Sequence, residues 1–152
     1  MRSVSVCASR NISLARNLGL DTAIELGDWI AMTDDDCVPE PGWIAALLDV
    51  QAATGATAVT GRYRRKVSPD APAWLTDQPF LEEGLHEWED GSEMEIGSTH
   101  NSMVSAAWLR EHPNLRFDPA LGKLGGEDMV FFADARSAGA TVRHAAYSLV
   151  RE

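Results

Sequence analysis

The chain has 152 residues and a formal net charge of -10 at pH 7; 45% of its residues are hydrophobic and 24% are charged. This length fits about one domain with a single core, and the composition is that of an ordinary folded protein. The negative charge argues against a nucleic-acid partner, because binding to a phosphate backbone depends on lysine and arginine displacing counterions. It does not exclude a nucleotide, since a bound divalent cation reverses the local charge.

The first third of the chain alternates predicted strands and helices. In chain order, the patterns predict a short strand at 4–6, an amphipathic helix at 12–25, a buried strand at 28–33, a helix at about 41–54 and a β-branched strand at 56–63. This alternation is the sequence signature of parallel βαβ units.

The remaining two thirds begin with a long surface excursion at 68–96, which is rich in proline and acidic residues and has room for one short helix. A helix at 106–111, a second helix within 121–139 and closing strands at 141–143 and 148–150 follow. No repeat, low-complexity tract or linker divides the chain, so we predict a single domain over 1–152.

Cys7 and Cys37 lack both disulfide density and metal-type spacing, which fits a reducing compartment and predicts two small buried side chains. The sequence has no signal-type apolar core, and no segment approaches the roughly 18 apolar residues that would span a bilayer. We therefore expect a cytoplasmic protein.

The stretch GDWIAMTDDDCVPEPGW, residues 27–43, places three carboxylates directly after a buried strand. Adjacent carboxylates repel one another, so Asp34, Asp35 and Asp36 at the mouth of a strand indicate a bound cation. The carboxyl end of a strand is also where open α/β sheets bind ligands. The alternative is a solvated turn that caps the helix beginning near Pro41.

A second informative stretch, LGKLGGED at 121–128, places Glu127 and Asp128 at the start of a helix. The helix dipole and free amides stabilise negative charge there, so simple helix-start acidity is one interpretation. Gly125 and Gly126 favour another, because they permit close approach of the backbone to a ligand. A general base at this helix start is then plausible.

Three further residues have a structural and a functional interpretation each. Trp88 is either a packing anchor or a ring that stacks on a ligand. His100, followed by Asn101, either contacts a bound phosphate group or forms hydrogen bonds within its loop. His144 is expected to be a structural histidine with its hydrogen bonds satisfied.

Together these blocks resemble the family 2 glycosyltransferases of GT-A fold. The resemblance rests on ISLARN (12–17), GDWIAMTDDDCVPEPGW (27–43) and FDPALGKLGGED (117–128), and more loosely on HNSMVSAAWL (100–109). It implies an α/β fold with a mixed, mostly parallel sheet and flanking helices. It also implies an inverting transfer of a sugar from a nucleotide-diphosphate donor to an acceptor hydroxyl.

The family pattern also implies a role for each matching residue. Asp34 falls near the nucleotide ribose and the metal, and Asp36 on a divalent metal, Mn²⁺ or Mg²⁺, that bridges the donor diphosphate. Asp128 falls on the catalytic base, and Glu127 on a residue that supports or orients the acceptor. The remaining expected donor-side residues are Arg16, Asp35, His100 and Asn101.

The expected substrates are a UDP-sugar donor and a saccharide or lipid-linked acceptor, in polysaccharide biosynthesis for the cell envelope. Peripheral association with the inner face of the membrane is the alternative to a purely cytoplasmic location. A calcium-binding structural domain is a further alternative, but DDDCVPEPG lacks the alternate-position ligands and distal glutamate of a helix-loop-helix site.

Compared with the family pattern, the chain lacks the first two βα units, about sixty residues at ~30 per unit. We therefore expect a partial catalytic domain with weakened donor binding, an exposed sheet edge and a homodimer formed through it. A catalytically inactive remnant or binding module without the nucleotide pocket is the alternative function.

Overall fold

The computed structural model describes residues 10–65, 67–68, 70–76, 78 and 88–151. Its helices are α1 (Ile12–Ala23), α2 (Trp43–Thr54), α3 (Ala73–Thr76), α4 (Ala106–Glu111) and α5 (Glu127–Ser137). Its strands are β1 (Trp29–Met32), β2 (Val38–Pro39), β3 (Ala58–Arg64), β4 (Ser102–Ser105) and β5 (Val142–Arg151). The predicted strand at 4–6 and Cys7 lie outside the described residues. Across these described ranges, no helix is both long and apolar enough to cross a membrane.

The described strands form one mixed sheet in the order β1-β4-β3-β5-β2. The predicted α/β class is therefore confirmed, but the expectation of a mostly parallel sheet is wrong for these strands. Only β3 and β5 pair in parallel, and the other three neighbouring pairs are antiparallel. The reason is that β4 lies between β1 and β3 and runs opposite to both, a long-range insertion that the local alternation does not reveal.

The two predicted closing strands are one ten-residue strand, β5. Its register against β3 shifts between Gly61 and Arg62. Asn101 holds this irregularity: its Nδ2 donates to the carbonyl oxygens of Arg62, at 2.9 Å, and Ser148, at 3.1 Å. A Cβ at Gly61 would lie 2.3 Å from the same Nδ2, so a side chain larger than that of glycine would displace Asn101.

Helices cover both faces of the sheet. On one face, α1, α4 and α5 enclose a cluster that includes Leu20, Phe117 and Phe131, with the two phenylalanine rings stacked at 4.3 Å. On the other face, α2 packs Leu47 and Val50 onto the sheet. Consecutive strand residues point to opposite faces, so β3 and β4 each contribute to both clusters. This packing fixes the ends of α1, β1 and α5 relative to one another.

His144 on β5 is buried, with 1% of its surface exposed. Among the described residues neither ring nitrogen has a partner at strict hydrogen-bond geometry, and only a weaker interaction with the Thr60 backbone remains, so the expectation that the hydrogen bonds of His144 are satisfied is not met in full. Burial, and then the nearby Arg62 charge, lower the pKa of His144, against smaller opposing contributions from Asp90 and the Thr60 backbone. The imidazole is therefore held in its neutral form.

This burial predicts a loss of stability in mild acid. Because the pKa of His144 is lower in the folded chain than in the unfolded one, the unfolded state takes up the proton first as the pH falls below about 6.5. We expect the urea concentration at the midpoint of unfolding to be lower at pH 5.5 than at pH 7.5. The difference should be smaller in His144→Gln. An equal drop in both proteins would contradict this origin.

Candidate active site

The site begins where β1 ends. Asp34 follows this strand in a turn closed by a hydrogen bond from the Cys37 amide to the Asp34 carbonyl oxygen, at 3.2 Å. The Asp34 side chain is 24% exposed, whereas Asp35 and Asp36 are fully on the surface of the turn. Cys37 is partly exposed, so the prediction that it is buried is wrong. The turn directs one carboxylate inward and leaves two facing solvent.

Arg16 lies between two carboxylates. Its Nη2 donates to Asp34 Oδ1 at 2.8 Å, and its Nη1 donates to Glu127 Oε1. The guanidinium carbon lies 5.7 Å from the centre of the Phe117 ring. One side chain of α1 thus connects the end of β1 with the start of α5.

The start of α5 depends on the two glycines that precede it. Gly125 and Gly126 have φ values of +85° and +81°, which L side chains rarely adopt. They turn the chain so that Glu127 is buried and Asp128 is half-buried. Asp128 accepts hydrogen bonds from the backbone amides of Met129, at 2.8 Å, and Thr99, at 3.4 Å. Its carboxylate is therefore held in a fixed direction.

His100 connects Asp34, at the end of β1, to Tyr63 on the opposite side of the site. Its Nε2 lies 3.4 Å from Asp34 Oδ2, its Nδ1 is hydrogen-bonded to Ser98 Oγ, and its ring stacks on Tyr63 at 4.7 Å. Ser98 and Tyr63 are site residues that the sequence interpretation missed. The only available signal was position: Ser98 precedes His100 by two residues, and Tyr63 is near the end of β3.

The structure brings together five of the predicted site residues: Arg16, Asp34, His100, Glu127 and Asp128. It does not bring Asn101 to them, because that side chain is 1% exposed and its amide bonds β3 and β5 together.

Two clefts meet at these residues. The charged cleft, about 390 Å³, is lined by Arg16, Asp34 and Glu127, with Lys123 at its edge. The apolar cleft, about 550 Å³, is lined mainly by Tyr63, Trp88, Met94, Ile96 and Met129. His100, Gly126 and Asp128 line both clefts. A group bound in either cleft would therefore meet the same imidazole and carboxylate.

Few of the described side chains are placed to bind a divalent cation. Among the residues that the structure describes, no three His, Cys, Asp or Glu side chains form a group that could hold a metal ion. Mg²⁺ is usually bound by one or two carboxylates together with substrate phosphates and water. Binding of a metal by Asp34 and Asp36 therefore stays a prediction, since Asp34 faces inward against Arg16 and Asp36 faces solvent.

Comparison with known proteins gives the family of this chain. Residues 7–112 match Glycosyl transferase family 2, and the chain belongs to that family. Over 148 residues it is 38% identical to the succinoglycan biosynthesis protein ExoM of Rhizobium meliloti (strain 1021). That alignment covers 96% of this chain but 46% of the relative, so the chain spans about half the length of the curated protein it matches.

Solved structures support the same fold. The S. aureus protein TarS 1-349 in complex with UDP superposes with a TM-score of 0.67 at 11% identity, over 94% of this chain and 40% of TarS. The complex of TarS 1-349 with UDP-GlcNAc gives a TM-score of 0.66 at 11% identity and covers 99% of this chain and 41% of that one. A197 from STIV gives a TM-score of 0.58 at 18% identity and covers 94% of this chain and 68% of that one. The predicted GT-A-like fold is confirmed, and the chain is shorter than each of these structures.

Proposed function

We propose that this chain is the catalytic part of an inverting glycosyltransferase that moves a sugar from a UDP-sugar to an acceptor hydroxyl. The observation that supports this best is the position of Asp128, a carboxylate held by two backbone amides where the charged and apolar clefts meet. A base in this position reaches a donor on one side and an acceptor on the other.

In the proposed reaction, Asp128 accepts the proton of the acceptor hydroxyl as its oxygen attacks the anomeric carbon. The new bond forms on the face opposite the breaking bond to the donor phosphate, so the anomeric configuration inverts. The nucleoside diphosphate leaves with the bonding electron pair. Asp34, Asp35 and His100 lie on the donor side, and Asn101 contributes indirectly by holding the backbone beside His100.

Asp36, with Asp34, would hold Mn²⁺ or Mg²⁺. Such an ion neutralises charge on the departing diphosphate. Asp36 is the better placed of the two for this role, because it is exposed, whereas Asp34 already contacts Arg16 and His100.

The choice of donor and acceptor follows from the relatives and the clefts. TarS was solved with UDP and with UDP-GlcNAc, which supports a UDP-sugar donor. The walls of the apolar cleft suit a saccharide or lipid-linked acceptor, and the Trp88 ring, which meets His144 edge-on and is exposed at this cleft, would stack on a sugar ring. The name of the succinoglycan relative supports a role in polysaccharide biosynthesis. A location at the cytoplasmic face of the cell envelope stays a prediction.

A second candidate is a binding module that keeps the fold without turnover. It is favoured by the contacts of Arg16 with Asp34 and Glu127, because a nucleotide would have to displace one of these carboxylates in order to bind the guanidinium. Strand β1 lies at one edge of the described sheet, where a second copy would pair if the chain forms the homodimer.

A transfer assay separates the two candidates. The purified chain is incubated with Mn²⁺, each of several UDP-sugars and neutral glucosides as acceptors, and the released UDP is measured. We expect UDP release that needs both the metal and the acceptor. Binding of UDP without release would instead favour the binding module, and absence of both would reject a UDP-sugar donor.

A further inference from the structure

Arg16 is already engaged within the protein, although the family pattern places it at the donor nucleotide. Its two terminal nitrogens donate to Asp34 and Glu127, and its side chain is only 14% exposed. The ring of Phe117 lies against the guanidinium. The planar fork of arginine suits this bridging of two carboxylates. A nucleotide would have to displace one of them in order to bind Arg16 in the same way.

Glu127 needs this partner. The exposed fraction of its side chain is 7%, and a buried carboxylate without a counter-charge is strongly unfavourable. Its place at the start of α5 offers some compensation through the helix dipole, but not a specific direction. The bond to Arg16 supplies that direction and ties the first turn of α5 to α1.

Asp128 is the next residue in the same turn. Its amide contacts come from Met129, in the turn itself, and from Thr99, in the segment before β4. A rotation of the first turn would therefore break the Thr99 contact and move the carboxylate away from the junction of the clefts. We propose that Arg16 is a positioning residue, which holds Asp128 in place through Glu127, and is not a ligand of the donor nucleotide. This inference rests on the proposed function of Asp128.

The same guanidinium sets the position of Asp34, the donor-side carboxylate. Asp34 is held by Arg16 through one oxygen and lies beside His100 through the other. Arg16 thus fixes the spacing between the donor side and the base. Lysine has a single ammonium group in place of the two-nitrogen fork, so Arg16→Lys keeps the charge but loses one of the two contacts.

A stability cycle tests the link between Arg16 and Glu127 without any need for activity. We expect Arg16→Met to lower the melting temperature, because it leaves the Glu127 carboxylate buried and unpaired. The double variant Arg16→Met/Glu127→Gln should melt above Arg16→Met alone. If the double variant instead loses the sum of the two single losses, the residues are not coupled and the proposal is overturned.

A matched control is an ion pair made to the same helix from outside it. Arg116 donates to Asp21 of α1 at 2.8 Å, but this pair is exposed and lies outside the residues that line the charged cleft. Arg116→Met should change the melting temperature little, as is usual for surface ion pairs. A loss equal to that of Arg16→Met would show that any ion pair made to α1 has this effect and would count against a specific role.

Arg16→Lys supplies the functional test. We expect kcat to fall, on the order of 10²-fold for a misplaced base, and the Kd for UDP to change far less, because Asp34 keeps its contact with His100. Hydrogen exchange should also rise at the Val130 amide, which donates to the Gly126 carbonyl oxygen in this turn. A weakened Kd for UDP with unchanged kcat and exchange would identify a nucleotide ligand and overturn the proposal.

The exchange measurement also separates this proposal from the proposed function. If the wild-type chain neither binds UDP nor turns over, the transferase function fails. Faster exchange at Val130 in Arg16→Lys would then still support the positioning of α5 by Arg16, and unchanged exchange would reject it.

Discussion

Replacement of Asp128 by asparagine should abolish transfer while UDP affinity stays at the wild-type value. Asparagine preserves the shape of the side chain, and its single carbonyl oxygen can still accept one of the two backbone hydrogen bonds, but its amide is not a base at neutral pH. General base catalysis contributes about 10²–10⁴-fold, so kcat should fall within that range or below detection. UDP release and UDP calorimetry on the same preparation measure the two quantities.

Asp134 supplies the control for this substitution. It lies on the exposed side of the same helix, so Asp134→Asn removes an equal charge from α5 without touching either cleft. Asp134→Asn should keep wild-type turnover. Wild-type turnover in Asp128→Asn would rule out Asp128 as the base, and an equal loss in both variants would attribute the effect to the charge of α5.

The parts of this site that the sequence predicted are those encoded locally. Asp34 follows four apolar residues that form a strand, and Asp128 follows two glycines that form the turn before α5. In both cases the residues that define the backbone are next to the residues that carry the chemistry. Helix α4 was predicted with its exact bounds for the same reason, because Pro113 ends it and Ser105 caps it.

The parts that the sequence did not predict depend on contacts between distant segments. Strand β4 enters between β1 and β3, and only its tertiary pairing reveals that. Asn101 follows His100 directly, yet the register shift opposite Gly61 directs its side chain into the sheet while His100 faces the site. Neighbours in sequence therefore have different roles, which a motif alone does not distinguish.

Glu127 illustrates the same limit. The family pattern suggested that it supports or orients the acceptor, but its carboxylate is buried against Arg16, 111 residues earlier in the chain. The site is best described as one ion-paired group that joins α1, β1 and α5, beside which Asp128 and His100 line both clefts. Such a group positions the base through the tertiary fold.

Loss of the Asp36 carboxylate should uncouple metal and nucleotide binding. If Asp36 holds a cation that also contacts the diphosphate, each ligand increases the affinity of the other by the same factor, typically about 5- to 150-fold. We expect calorimetry of the wild-type chain to show tighter UDP binding in the presence of Mn²⁺. In Asp36→Asn the affinity for UDP should be the same with and without the metal.

Asp28 provides the matched control, because it is an exposed aspartate just before the opposite end of β1. Asp28→Asn changes the net charge by the same amount, and a screened, nonspecific effect of that charge would be similar in both variants. Coupling that survives in Asp28→Asn but not in Asp36→Asn assigns the cation to the end of β1. If metal and UDP binding stay coupled in both variants, the metal binds elsewhere. If the coupling is lost in both variants, it depends on the general negative charge of the chain and not on a site at Asp36.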